Sequence, residues 1–133
     1  MLLAPRYFVA FLDGRLGETQ RIAFVPGDLG AHIHAYSPHL TIGRTYALKL
    51  QRKHSLKYEQ FQLVQPAIEH GYAGIHRGDL VFLYFHEETR RWFLLAVKTA
   101  AAGAELWLKS FYPLDAKRTG KIRRQMTMLR EHA

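Results

Sequence analysis

The sequence predicts a single α+β domain, with helices packed on an antiparallel sheet. Three observations carry that expectation. The run Trp92-Phe93-Leu94-Leu95-Ala96-Val97 is apolar at every position, the mark of a strand covered on both faces. Two hairpin-length links, Glu87-Glu88-Thr89-Arg90 and Ala100–Gly103, join it to strand-like runs on either side, so the three should be antiparallel neighbours. Stretches with helical spacing lie before and after this meander.

Taken in order, Tyr7–Leu12 and Gln20–Val25 read as two strands. The link Asp13-Gly14-Arg15-Leu16-Gly17-Glu18 carries two glycines and suits a hairpin. Pro26-Gly27-Asp28 ends this N-terminal hairpin, residues 1–28. Residues 29–71 form the helical part, two to three helices in all. Leu29 to Leu40 is irregular and rich in histidine. Thr41 is a plausible N-cap for a helix running to His54. Ile42, Tyr46, Ala47 and Leu50 make its apolar stripe, and Arg44, Lys49, Arg52 and Lys53 its wet side. His54 follows Leu50 by four, so it projects from the apolar stripe. Ser55 can cap a short helix with Tyr58, Phe61 and Val64, and Pro66 starts a last turn, Pro66–His70, closed by Gly71. The sheet region, residues 79–112, holds Leu80–His86, Arg91–Thr99 and Glu105–Tyr112. After Pro113, residues 114–131 read as a basic C-terminal helix, with Gly120 a possible break. No repeat or low-complexity linker divides the 133 residues.

The chain carries 19 Lys and Arg against 11 Asp and Glu, a net charge of +8. From Leu29 to Tyr58 there is no carboxylate, but there are four His and five Lys or Arg. Lys117, Arg118, Lys121, Arg123, Arg124 and Arg130 crowd the C-terminal segment, with Glu131 the only acid after Lys117. Clustered basic charge points to a polyanionic partner, nucleic acid first. The alternative is a solvated basic surface. Cysteine is absent, which excludes a disulfide scaffold and a Cys-ligated zinc site and fits a reducing cytoplasm. The opening Met1-Leu2-Leu3-Ala4-Pro5-Arg6 is too short for a signal peptide's apolar region, and no apolar run approaches a membrane span. There is no Gly-rich phosphate loop, Gly-x-Ser-x-Gly elbow or His-Glu-x-x-His motif. That argues against nucleotide-fuelled, serine-hydrolase and zinc-protease chemistry.

Two residues stand out chemically. His54 sits at a helix end where an apolar stripe meets Arg52, Lys53 and Lys57. A histidine there can exchange protons near neutral pH, as phosphodiester cleavage requires; equally, it can be a core residue or a helix-dipole partner. Lys98 ends an apolar strand. It either snorkels to solvent or awaits an anion whose developing charge it would offset. Thr99, Ser110 and Tyr112 share its hairpin. His32-Ile33-His34 has i, i+2 spacing and would need a third ligand from His39, His54 or an acid. The acid-free stretch offers no carboxylate, so no metal is expected. Trp92, Trp107 and Tyr84 are possible base-stacking residues, though strand aromatics in this pattern usually fill a core.

Several short motifs resemble the barnase–EndoU–colicin–RelE group of nuclease domains found in phages and mobile elements. They are Lys53-His54, Tyr58-Glu59-Gln60-Phe61, Ile68-Glu69-His70-Gly71, Trp92 through Ala96-Val97-Lys98-Thr99, and Gly103-Ala104-Glu105-Leu106-Trp107-Leu108-Lys109-Ser110-Phe111-Tyr112. The likeness spans about Ala35 to Tyr112. The Lys98-Thr99 spacing and Tyr112-Pro113 depart from the family pattern. The resemblance implies a metal-independent, cofactor-free ribonuclease, in that group often a toxin effector, acting in the cytoplasm or delivered into a target's cytoplasm. Carried over, His54 is acid or base, Lys98 the phosphate contact, and Thr99 and Ser110 assist. Lys53, Lys57, Arg77, Tyr112, Lys117, Arg118, Lys121 and Arg124 would hold RNA, and an inhibitor protein is a conceivable second partner. Two other readings stand beside it: a non-catalytic basic module that binds nucleic acid or docks to a partner, and a mobile-element accessory protein matched to an acidic protein.

Overall fold

The computed structural model describes residues 4–131. Met1 to Leu3, part of the opening segment read above for a signal peptide, lie outside the described residues. The fold is α+β. It is built on one seven-stranded mixed sheet in the order β1-β2-β6-β5-β4-β3-β7. The strands are β1 (Thr19–Phe24), β2 (His39–Gly43), β3 (Tyr72–His76), β4 (Asp79–His86), β5 (Arg91–Ala100), β6 (Glu105–Leu114) and β7 (Thr127–Arg130). The helices are α1 (Pro5–Leu12), α2 (Gly27–Gly30), α3 (Arg44–His54), α4 (Tyr58–Phe61), α5 (Val64–His70) and α6 (Ala116–Gln125). Among the described residues, no helix is long and apolar enough to cross a membrane.

The central meander β4-β5-β6 is antiparallel, as expected. Phe93 to Val97 are all buried, because β5 is covered on both faces. On the inner face, Phe93, Leu95 and Val97 join Phe8, Phe11, Leu50, Phe61 and Phe111 in the main core beneath α1, α3 and α5. On the outer face, Leu94 and Ala96 join Val81, Leu83 and Met126 in a second cluster under α6.

Five expectations are corrected. There is no N-terminal hairpin. Tyr7–Leu12 falls within α1, which starts at Pro5 and buries Phe8 and Phe11, three apart on one helix face. Arg44, assigned to a wet helix side, instead donates from Nε to the Leu12 carbonyl, 2.9 Å away, at the C-terminal end of α1. Thr41 is not a helix cap. It lies in β2, whose Leu40 and Ile42 face the core, and α3 begins at Arg44. The three-stranded sheet has four further strands. β3 pairs with β4, and β7 pairs with β3. The C-terminal helix is shorter than expected: it runs through Gly120 and stops at Gln125, where Met126 turns extended and leads into β7. Asp115 caps it, accepting from the Arg118 N–H at 2.7 Å. Arg130 of β7 then donates to the carbonyls of Ile68 and Gly71, both at 2.7 Å, fastening this edge to the end of α5. Pro66 is accommodated inside the first turn of α5, where its missing N–H costs nothing.

β2 pairs with β6 in parallel, but only through Leu40 with Leu106 and Thr41 with Trp107. Beyond that point the chain turns into α3, which lies alongside the remaining edge of β6. This splay creates the site.

Candidate functional site

α3 and β6 meet along that edge. The His54 ring stacks on Tyr112, with centroids 5.1 Å apart and planes 16° from parallel. Around them a hollow of about 160 Å³ is lined by Tyr46, Lys49, Lys53, Lys109 and Ser110. No carboxylate lines it. The Tyr46 hydroxyl hydrogen-bonds with the Ser110 side chain and the Phe111 backbone. Burial raises the Tyr46 pKa above its ordinary value, and those hydrogen bonds pull it back less strongly. Tyr46 therefore stays a neutral phenol that pins Ser110.

His54 behaves differently. Partial desolvation lowers its pKa below 6.5, and the neighbouring charges of Lys53 and Lys49 lower it further. At neutral pH the ring is therefore uncharged and able to accept a proton.

A bulge in β6 explains how so many polar groups face one way. Ala96 pairs with Ser110 but Val97 pairs with Leu108, so Lys109 is an extra residue. Strict alternation would put Trp107 and Lys109 on one face and Ser110 and Tyr112 on the other. The bulge shifts the phase, and all four side chains reach the outer side while Leu106, Leu108 and Phe111 remain in the core. Lys109 Nζ donates to the Asp79 carboxylate of β4 at 2.5 Å. It stands where three hollows meet: the His54 hollow, one toward α6, and one over Trp107. Nothing in the sequence reading singled out Lys109, because a two-residue period hides a bulge.

The structure brings together His54, Ser110, Tyr112 and Lys53. Lys98 is exposed and faces the same side of the sheet, in the adjoining hollow that shares Tyr46, Lys49 and Lys109. Thr99 does not join them. It points through the opposite face, and its hydroxyl donates to the Ile33 carbonyl at 3.4 Å. Alternation along β5 requires this, since Thr99 follows Lys98 directly. Arg77, Arg118 and Lys121 line the third hollow, of about 360 Å³, between the sheet and α6. Lys57, Lys117 and Arg124 are exposed but line none of these hollows. Of the basic residues of α6, Arg118 and Lys121 therefore face the sheet-side hollow, and Lys117 and Arg124 stand outside it.

His32 and His34 lie in a 3₁₀ turn and at its left-handed end, not on an extended segment, so the shared-face argument for them fails. His39 packs against Phe24, with ring centroids 5.0 Å apart. Among the described residues, no group of three or more His, Cys, Asp or Glu is placed to hold a metal ion. Trp92 stacks on Tyr72 and meets the Phe85 ring at a tilt. Comparison with protein-family models, with curated proteins and with solved structures found no match to this chain.

Proposed function

We propose that this protein is a metal-independent RNA endonuclease. One observation carries the reading: a histidine held neutral, stacked on a tyrosine, in a hollow lined by three lysines and no carboxylate. Lysines of that density attract phosphate. The neutral imidazole is suited to take the proton of a ribose 2′-hydroxyl. The 2′ oxygen attacks phosphorus, the bond to the 5′ oxygen breaks, and that oxygen leaves with a proton from solvent reaching the open cleft. Lys109 and Lys49 offset the negative charge that builds on the phosphoryl oxygens. Lys98 contacts a neighbouring phosphate. Arg118 and Lys121 guide the strand along α6. The products are a 2′,3′-cyclic phosphate and a 5′-hydroxyl. In this reading β4-β5-β6, preceded by the histidine-bearing α3, corresponds to the barnase–EndoU–colicin–RelE arrangement, and a toxin or mobile-element effector role follows from that correspondence.

The test is direct. Purified protein is incubated with total RNA in EDTA, and the ends of any fragments are analysed. Cyclic-phosphate ends are expected. Salt-sensitive RNA binding with no fragments would establish the non-catalytic module instead.

A pH dependence follows from the lysines. A general base must be unprotonated, and the His54 pKa is depressed, so cleavage should persist below pH 6.5 and fall away as pH drops through the lowered value. Lys49→Gln and Lys53→Gln should each raise that midpoint toward 6.5. Titrating the His54 ring C–H resonance by NMR reads the shift independently of turnover. An unchanged midpoint in both variants would refute the electrostatic account.

A further inference from the structure

Trp107 differs from the other tryptophan. Trp92 packs against two aromatic rings. Among the described residues Trp107 stacks on no ring, although it sits mid-sheet. Pairing places it in a row running across four strands: Arg21 with Thr41, Thr41 with Trp107, and Trp107 with Lys98. All four face the outer side, beyond the apolar cluster that α6 covers. The neighbouring strand position is Gly43. A Cβ there would lie 3.9 Å from the Trp107 ring, so the glycine leaves that space open. The indole N–H donates to Glu105 at 3.2 Å, which fixes the ring's direction. Above it is a hollow of about 430 Å³, within the range of roughly 300–1,000 Å³ usual for small-ligand sites. Trp107 and Ala100 give it apolar surface, and Lys49, Lys98 and Lys109 line it as well. No carboxylate is among its lining residues, the Glu105 carboxylate lying beside it at the indole N–H.

An apolar, aromatic-floored hollow ringed by ammonium groups matches one chemistry: a flat ring flanked by phosphates. We propose that one unstacked base of single-stranded RNA lies on Trp107, with its flanking phosphates on Lys98 and Lys109. This rests on the reading that the basic cleft takes RNA, and it names the form taken. Lys109 and Lys49 belong to both hollows. A base seated on Trp107 would therefore place the adjoining phosphodiester beside His54. Few polar groups face the base, so different bases should be tolerated. A duplex, whose bases are already stacked, should be a poor ligand.

The experiment uses Trp92→Phe in a His54→Ala background, which leaves Trp107 as the lone fluorescent tryptophan and prevents turnover. It is titrated with an oligouridylate of about eight nucleotides and with a hairpin duplex, following fluorescence and the anisotropy of labelled RNA. Expected is saturable quenching that tracks anisotropy, with the duplex binding at least about tenfold more weakly. Trp107→Ala should weaken binding by about tenfold or more, and Trp107→Phe by no more than about threefold, since a phenyl ring still stacks. RNA binding without quenching, unaffected by Trp107→Ala, would overturn the base site while leaving cleavage by the intact protein as evidence for the nuclease. No binding and no cleavage at all would overturn both.

Discussion

His54→Ala is expected to slow RNA cleavage by at least about a hundredfold, the usual contribution of a positioned general base. The loss should fall on kcat. Binding should change little, because the lysines that attract phosphate remain. The effect should not come from unfolding: His54 is partly exposed at the last turn of α3, and its ring rests on Tyr112 rather than in the main core. Single-turnover cleavage of a short labelled RNA, with circular dichroism on the same preparation, separates the two causes. A variant that is fully folded and as fast as the parent would remove His54 from the chemistry. It would also expose any cleavage as a contaminant's.

The second large effect belongs to Lys109. Replacement by alanine should cost about 10²–10³ in kcat, the range seen when one preorganised group facing developing charge is lost. Lys98→Ala should act mainly on KM and by less, since Lys98 lies in the adjoining hollow. Stability should fall modestly. The Lys109–Asp79 pair is about half exposed on the lysine side but only 17 % exposed at Asp79, whose carboxylate would lose its partner, so the loss should cost about 1–3 kcal/mol. Thermal melting beside the kinetics checks this. If Lys98→Ala were the more damaging of the two for kcat, the assignment of Lys109 to the reacting phosphate would be reversed.

That contrast shows what could be read from residues alone. His54 was legible because helical spacing from Ala47 and Leu50 fixes its direction, and α3 does run to it. β5 was legible because six apolar residues in a row have few other homes. Lys98 drew notice for ending that run, yet its exposed position is what a strand-end lysine adopts by default. Lys109 was invisible. Its importance comes from one extra residue in β6, and the phase of alternation cannot reveal that without the partner strand. Tyr7–Leu12 misled for a related reason. Aromatic and β-branched residues favour a strand locally, but Pro5 and the Phe8–Phe11 spacing let the core claim a helix. β7 is a short edge strand whose pairing with β3 rests on long-range contacts, which no local pattern encodes, whereas β3 joins β4 through the two-residue turn Arg77-Gly78, a local signal that the expected three-stranded sheet left unused.

The brief parallel pairing of β2 with β6 has a consequence for synthesis. β2 and α3 emerge well before β6, with α4, α5, β3, β4 and β5 between them. Leu40 waits for Leu106, and His54 has no Tyr112 to rest on until then. Such non-local closure is slow compared with forming a helix or hairpin. An unfinished chain, still attached to a ribosome and surrounded by RNA, would carry its histidine and its lysines on separate, unassembled pieces. Under the proposed function, the translating machinery is exposed to the complete cleft only after β6 has left it.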